Sequence, residues 1–320
     1  MSFTVGASLL AVVTALACAL PGVFVVLRKS SMLVDAISHA VLPGIVVGYF
    51  FTRSMDSPLL VIGAALAGLV VVLGSEWLSR TGLLTGDAPQ GLIFPALFSI
   101  GVIMVTLNFG NIHLDTHTVL VGDLNLAAFR QVTIGGVSLG PSYLYVMLAV
   151  LTVNIVFLTA FYPKLKVTTF DPEFATSIGI RSGLLNTGFM FLVSLTVTAA
   201  FNAAGAILVI ALMIIPPATA HLLSRRLPTM LALTAIIAVV GSFAGFWIAY
   251  AFNAATSAGM AVFYGIVFAV TYVGVRLARQ VARRDSRRSQ MSRTHTAPVA
   301  DRPRGSGAEP SSMSTSRASE

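Results

Sequence analysis

Long apolar segments recur along most of the chain and are separated by short polar stretches. A helix that crosses a bilayer needs about 20 mainly apolar residues, and segments of this kind continue to residue 278. The pattern predicts about nine transmembrane helices, at residues 6–27, 33–51, 58–78, 90–108, 143–162, 183–200, 204–223, 229–251 and 258–278. We therefore expect an all-α, polytopic membrane protein.

The basic residues predict how these helices are oriented. If the N-terminus lies outside, one set of loops contains eight Lys or Arg residues, and the other set contains only Arg53 and Arg130. Loops that are rich in Lys and Arg remain in the cytoplasm. The predicted orientation therefore has the N-terminus outside and the C-terminus in the cytoplasm.

Composition agrees with a membrane protein and explains the net charge. Of the 320 residues, 56% are hydrophobic and 10% are charged, which excludes an ordinary soluble domain. Ten of the 20 Lys and Arg residues lie at or after Arg276, so the net charge of +8 does not indicate nucleic-acid binding. We expect a transmembrane domain at residues 1–278 and a basic, Ser- and Pro-rich, disordered cytoplasmic tail at residues 279–320. The single cysteine, Cys18, excludes an internal disulfide.

The second predicted helix contains two polar residues that point to metal chemistry. In "SSMLVDAISHAVLPG", Asp35 and His39 are four residues apart, which places them on one face of a helix. A carboxylate inside the membrane costs about 2.5 to 3.5 kcal/mol, so it needs a partner or a watery cavity. Carboxylate and imidazole together suit Zn²⁺, Mn²⁺ and Fe²⁺. We predict a transit site for a divalent cation; the alternative is an Asp–His hydrogen bond that holds two helices together. Pro43 and Gly44 are expected to bend or loosen the helix beside the pair.

The loop predicted to lie outside, residues 109–142, contains the sequence "HLDTH". His113, Asp115 and His117 occupy alternate positions, so in an extended segment all three project to one side. This pattern predicts either a capture site for a cation at the outer mouth or a purely structural use of the three side chains.

The loop predicted to lie inside, residues 163–182, contains "TTFDPEFATSIGI". Asp171 is suited to be a helix N-cap, Pro172 suits the first helical position, and Glu173 suits the first turn. Gly179 is suited to end the helix. The pattern predicts a short cytoplasmic helix.

This short helix is expected to have an apolar face. Phe170, Phe174 and Ile178 recur at helical spacing. An exposed apolar face indicates that a protein partner docks there, or that the helix lies on the bilayer surface.

Four stretches of the sequence together resemble the metal-ion permease family of bacterial ABC importers, the membrane subunits for manganese, zinc and iron. In family order they are "SSMLVDAISHAVLPGIVVGYF", "HLDTHTVLVGDL", "LKVTTFDPEFATSIGI" and "GAILVIALMIIPPATAHLLSRRL", and the resemblance covers about residues 5–278. It implies that Asp35 and His39 lie on the ion path. It also implies that a coupling helix seats in the cytoplasmic ATPase and is formed by Phe170, Asp171, Pro172, Glu173, Phe174, Ala175, Ile178 and Gly179.

The resemblance further implies partners and a location. The expected partners are a cytoplasmic ABC ATPase, an extracytoplasmic metal-binding protein, and a second permease subunit in a homo- or heterodimer. The ion, Mn²⁺, Zn²⁺ or Fe²⁺, is transported, and no cofactor is expected to be bound permanently. The expected location is the bacterial plasma membrane.

Other functions fit the sequence less well. It contains no G-x-x-x-x-G-K-[ST] motif, so the chain is not expected to hydrolyse ATP. It also lacks an H-E-x-x-H motif and a buried Glu as general base, which argues against an intramembrane metalloenzyme, and we expect no enzymatic activity. An ATP-independent secondary carrier or channel is the alternative, although it leaves the apolar face of residues 170–178 without a partner.

Overall fold

Helices account for nearly all of the secondary structure. The computed structural model describes residues 3–53, 58–84, 86–108, 124–129, 131–134 and 137–295. The helices are α1 (Phe3–Leu27), α2 (Ser31–Thr52), α3 (Pro58–Arg80), α4 (Ala88–Asn108), α5 (Leu124–Phe129), α6 (Ser142–Phe170), α7 (Pro172–Ser177), α8 (Ser182–Leu223), α9 (Leu227–Ala251) and α10 (Thr256–His295). Eight of these are long and apolar enough to cross a membrane, all except α5 and α7. The predicted all-α, polytopic class is confirmed.

A short hairpin was not predicted. Strands β1 (Gln131–Ile134) and β2 (Val137–Pro141) pair antiparallel, with an irregularity between Val132 and Thr133. The hairpin leads directly into α6, and Pro141 lies against Gly6 near the start of α1. The loop predicted at residues 109–142 therefore contains regular structure over its second half.

Helix α1 forms the centre of the unit formed by residues 1–275. It packs against α6, α8 and α9, while α2, α3 and α4 pack on one another, and α2 and α3 also contact α8. The Asn154 side chain of α6 is fully buried, and its amide donates hydrogen bonds to the Ala17 carbonyl (2.9 Å) and the Thr196 hydroxyl (3.0 Å). A buried amide in an apolar bundle needs such partners. Asn154 thus joins α6 to α1 and α8.

Helix α8 is a 42-residue segment within which the chain turns back on itself. Gly205 has φ 77° and ψ 164°, which is not helical. Phe24 of α1 packs against Phe189, with ring centroids 6.0 Å apart. Gly22, on the same turn of α1, also lies close to Met213. A side chain at position 22 would collide with the Met213 carbonyl. In a continuous helix, residues 189 and 213 would lie about 36 Å apart. The two halves of α8 are therefore antiparallel.

Two of the predicted helices fall within α8. The windows predicted at 183–200 and 204–223 correspond to the two halves of α8, which form one uninterrupted run of helix apart from Gly205. Glycine adopts positive φ without steric cost, so a single residue suffices for the reversal. No polar loop separates the two windows.

The C-terminal residues form a second unit, from Arg276 onward. Helix α10 continues to His295, past the boundary predicted at residue 278. Residues 296–320 lie outside the described part of the chain, and the disorder predicted for the tail stays a prediction. Arg, Ala and Gln are good helix formers, and extending an existing helix avoids the unfavourable nucleation step.

Candidate functional site

The two polar residues of α2 lie together, as their spacing predicts. His39 Nε2 lies 3.6 Å from Asp35 Oδ1, one helical turn away. The His39 and Asp35 side chains are 31% and 34% exposed, whereas the neighbouring Val34, Ala36 and Ile37 are buried. The apolar residues hold α2 against the bundle, so the polar pair lies on its more open side. We call these two residues the Asp35–His39 pair.

The separation within the pair is compatible with a shared divalent ion. At 3.6 Å, the two atoms are too far apart for an effective hydrogen bond. Two donor atoms that each lie about 2.1 Å from one tetrahedral metal ion are about 3.4 Å apart. Both residues also belong to α2, so an interaction between them does not join two helices. The transit site stays a prediction, and so does its structural alternative.

Helix α4 supplies the aromatic wall beside His39. The imidazole stacks on Phe94, with ring centroids 5.3 Å apart, and meets Phe98 edge-on at 6.1 Å. The backbone of Gly101, one turn of α4 further on, lies against Pro43, which allows α4 to approach α2 closely. The rings limit rotation of the imidazole, and a fixed imidazole is a better metal ligand than a mobile one.

Pro43 and Gly44 do not interrupt α2. The helix runs without a break from Ser31 to Thr52. A side chain at Gly44 would collide with the backbone of Ala64 in α3. Gly44 thus serves the close contact of α2 with α3. The pair consequently lies within one continuous helix.

The pair alone is an incomplete metal site. Within the described residues, no three His, Cys, Asp or Glu side chains are grouped so that they could hold one ion. His113, Asp115 and His117, the predicted outer capture site, lie outside the described residues. An ion at the pair would therefore need further ligands from water or from another chain.

The short helix predicted from "FDPEFATSIGI" is confirmed as α7. The Asp171 carboxylate accepts a hydrogen bond from the Phe174 backbone N–H at 2.9 Å, so Asp171 is the N-cap. Pro172 occupies the first turn and Glu173 lies within it. Gly179 has φ +79°, the left-handed conformation that favours glycine after a helix.

Three large apolar side chains on or beside α7 are exposed. Phe170, Phe174 and Ile178 are 57%, 53% and 52% exposed, while Ala175 is fully buried against the bundle. We call these three residues the α7 face. Exposed apolar side chains on and beside a short helix that connects two membrane-spanning helices are typical of a docking surface.

Arg28 connects the segments on either side of α7, a feature that sequence reasoning missed. Its guanidinium donates hydrogen bonds to the hydroxyls of Thr169 (3.0 Å) and Thr168 (3.2 Å) and to the Asn186 side-chain carbonyl (2.7 Å). It also lies 5.0 Å above the ring of Phe189. Burial lowers the pKa of the Arg28 guanidinium to about 10, so it remains charged at neutral pH.

The sequence profile of the ABC 3 transport family matches residues 1–274. The chain belongs to this family. The match spans α1 to α9 and most of the membrane-spanning part of α10, and it includes both the Asp35–His39 pair and α7. The expectation of an ABC transport permease, drawn from four short stretches, is therefore confirmed.

Curated members of the ABC 3 family extend this similarity. The zinc transport system membrane protein TroD of Treponema pallidum (strain Nichols) is 45% identical over 265 residues, which cover 83% of this chain and 72% of TroD. The manganese transport system membrane protein MntD of Bacillus subtilis (strain 168) is 38% identical over 273 residues, which cover 85% of this chain and 92% of MntD. Both relatives are membrane proteins of transport systems.

A solved structure has the same fold. PsaBC from Streptococcus pneumoniae, determined in complex with Fab, aligns with a TM-score of 0.70 at 24% identity, and the alignment covers 85% of this chain and 91% of the other. Most of this chain thus has a fold that another chain adopts.

Proposed function

We propose that this chain is the membrane-spanning subunit of an ABC importer that moves divalent transition-metal ions, manganese, zinc or iron, into the cytoplasm. The observation that carries the proposal is the Asp35–His39 pair, which places a carboxylate oxygen and an imidazole nitrogen 3.6 Å apart in a helix that is otherwise apolar. The names of TroD and MntD, which refer to zinc and manganese, support the same class of ion.

The pair acts as a transit site rather than a storage site. Two ligands hold a divalent ion weakly, and an ion that must leave again requires a site that is not closed. A second permease subunit that brings its own Asp and His to the same point would raise the number of protein ligands to four. This arrangement accounts for the partial exposure of both side chains in the single subunit.

Helix α7 is the proposed docking point of the cytoplasmic ATPase. The chain itself contains no Walker A motif, so the energy must come from a separate subunit. The α7 face offers that subunit exposed apolar side chains on a capped, well-defined helix. Docking would bury these side chains and transmit ATPase movement to the membrane helices.

The proposed orientation places α7 in the cytoplasm and residues 109–142 outside, in the plasma membrane of a bacterium. An extracytoplasmic metal-binding protein delivers the ion to the outer side. The ion then passes to the Asp35–His39 pair and leaves inward when the ATPase changes state.

His113, Asp115 and His117 are proposed to capture the ion at the outer mouth. If so, replacing both His113 and His117 by Ala should reduce uptake several-fold at low metal concentration and little at high concentration, because excess metal compensates for a lost capture site. Uptake by cells would be measured across a range of metal concentrations. Unchanged uptake across the whole range would favour a structural use of these residues.

The proposed function is tested by reconstitution. The chain, co-purified with its ATPase and placed in proteoliposomes, should take up manganese, zinc or iron only when ATP and the metal-loaded binding protein are supplied on their respective sides. Replacing ATP by a non-hydrolysable analogue is the control, and uptake should then stop. Uptake that instead follows an ion gradient without ATP would identify a secondary carrier or channel.

A further inference from the structure

Arg28 occupies a junction between α7 and α2. It lies in the short link after α1, three residues before α2 begins at Ser31. Its three hydrogen-bond acceptors come from the end of α6, just before α7, and from the first turns of α8, just after α7. One side chain thus holds both flanks of α7 and is itself joined to the helix that carries the Asp35–His39 pair.

The charge on Arg28 is not balanced locally. Among the described residues, no carboxylate lies within ion-pair distance of its guanidinium, and all three acceptors are neutral side chains. A partly buried cation without a carboxylate costs free energy, which an apolar side chain at this place would avoid. Neutral hydrogen bonds hold the guanidinium less tightly than ion pairs do, so this junction can rearrange.

The geometry of the guanidinium suits a connector. Three N–H groups in one rigid plane point at Thr169, Thr168 and Asn186 at the same time, which a lysine ammonium on a flexible stem does not reproduce. The adjacent Lys29 is exposed and has φ 57°, where it completes the turn between α1 and α2. The two neighbouring cations therefore have different surroundings.

We propose that Arg28 is a positioning residue that transmits displacement of α7 to α2 and thereby moves the Asp35–His39 pair between its outward- and inward-accessible states. Because α2 continues unbroken past Asp35 and His39, a shift at its first turn moves the pair as a rigid body. The inference rests on the proposed function, since it takes α7 as the point at which the ATPase acts.

The test uses the chain co-purified with its ATPase in proteoliposomes, with radioactive manganese and zinc as probes. Arg28→Gln should leave the ATPase bound and ATP hydrolysis active. It should lower the number of ions imported per ATP by about tenfold, with the metal concentration for half-maximal uptake unchanged. Arg28→Lys should restore part of this ratio, because lysine keeps the positive charge but lacks the planar guanidinium group. Lys29→Gln, the matched control in the same turn, should behave like the wild type.

The outcomes separate this inference from the proposed function. If Phe174→Asp leaves the ATPase bound, the docking role of α7 fails, whatever Arg28 does. If Phe174→Asp releases the ATPase and Arg28→Gln imports as many ions per ATP as the wild type, only the role of Arg28 is overturned. Loss of the ATPase from the Arg28→Gln complex would mean that Arg28 merely shapes the α7 segment, and it too would overturn the inference.

A milder variant covers the case in which Arg28→Gln does not fold. Thr169→Val keeps the shape of the side chain and removes one of the acceptors of Arg28. It should lower the number of ions per ATP several-fold, in the same direction as Arg28→Gln. An unchanged ratio in well-folded Thr169→Val would count against the connection.

Discussion

Asp35→Ala and His39→Ala should each abolish metal uptake while leaving the protein in the membrane. Each substitution removes one of the two proposed ligands, and the remaining group alone would hold a divalent ion poorly. Loss of a residue that merely supports a metal ligand typically costs 10- to 100-fold, so loss of a ligand should exceed about 100-fold. Uptake of manganese, zinc and iron into cells expressing each variant is the measurement, with the amount of protein in the membrane determined in parallel.

Two further variants separate ligand chemistry from packing. His39→Phe retains a ring that can stack on Phe94 but has no nitrogen for a metal, so it should be as inactive as His39→Ala. Ser38→Ala changes the adjacent buried residue, whose hydroxyl donates to the Val34 carbonyl at 2.9 Å, and should transport normally. Normal uptake by His39→Phe would show that the ring, and not the imidazole nitrogen, matters.

Local features of the site followed from the sequence. The i, i+4 spacing of Asp35 and His39 fixes their relative position on any α-helix. The residues from Asp171 to Gly179 contain a complete start and stop signal, so α7 formed where it was predicted. Both features depend on interactions within a few residues, and such interactions can be read from sequence order.

Contacts between distant segments did not follow from the sequence. The stacking of Phe94 on His39 depends on how α4 lies against α2, which apolar spacing does not specify. The junction at Arg28 brings together residues about 140 to 158 positions apart. In the sequence, Arg28 contributes only as one of the basic residues that predict the orientation. Its individual contacts depend on residues that are distant along the chain.

Two features of the backbone were missed for different reasons. The hairpin β1–β2 has a sequence signal, Gly135-Gly136 between segments with β-branched residues, which the prediction for residues 109–142 did not use. The reversal at Gly205 has a weaker signal, because glycine is common in transmembrane helices. Only the packing of both halves of α8 against one turn of α1 reveals it.

Phe174→Asp should release the cytoplasmic ATPase and so eliminate ATP-driven uptake. Phe174 is half exposed on the α7 face, and docking would bury its ring. Burying a Phe side chain contributes about 1.5 to 3 kcal/mol, and a carboxylate in its place must be desolvated as well. A loss of about 2 kcal/mol or more corresponds to at least about thirtyfold weaker binding. The measurement is the amount of ATPase that co-purifies with the membrane protein.

Gly179→Trp should also weaken ATPase binding, since φ +79° at this position strains any side chain.

Phe252→Asp provides the matched control, because it makes the same change at the other end of the bundle. Asn186, near the start of α8, is bonded to Arg28 beside α7, and the chain returns to that end after Gly205. Helix α9 therefore begins on the α7 side and carries Phe252 about 37 Å away from it. Phe252 is 80% exposed, so Asp is tolerated there, and the ATPase should stay bound. Equal retention of the ATPase by Phe174→Asp and Phe252→Asp would contradict the docking role of α7. Loss of the ATPase from Phe174→Asp alone would place it at the end of the bundle that the basic loops predict to be cytoplasmic.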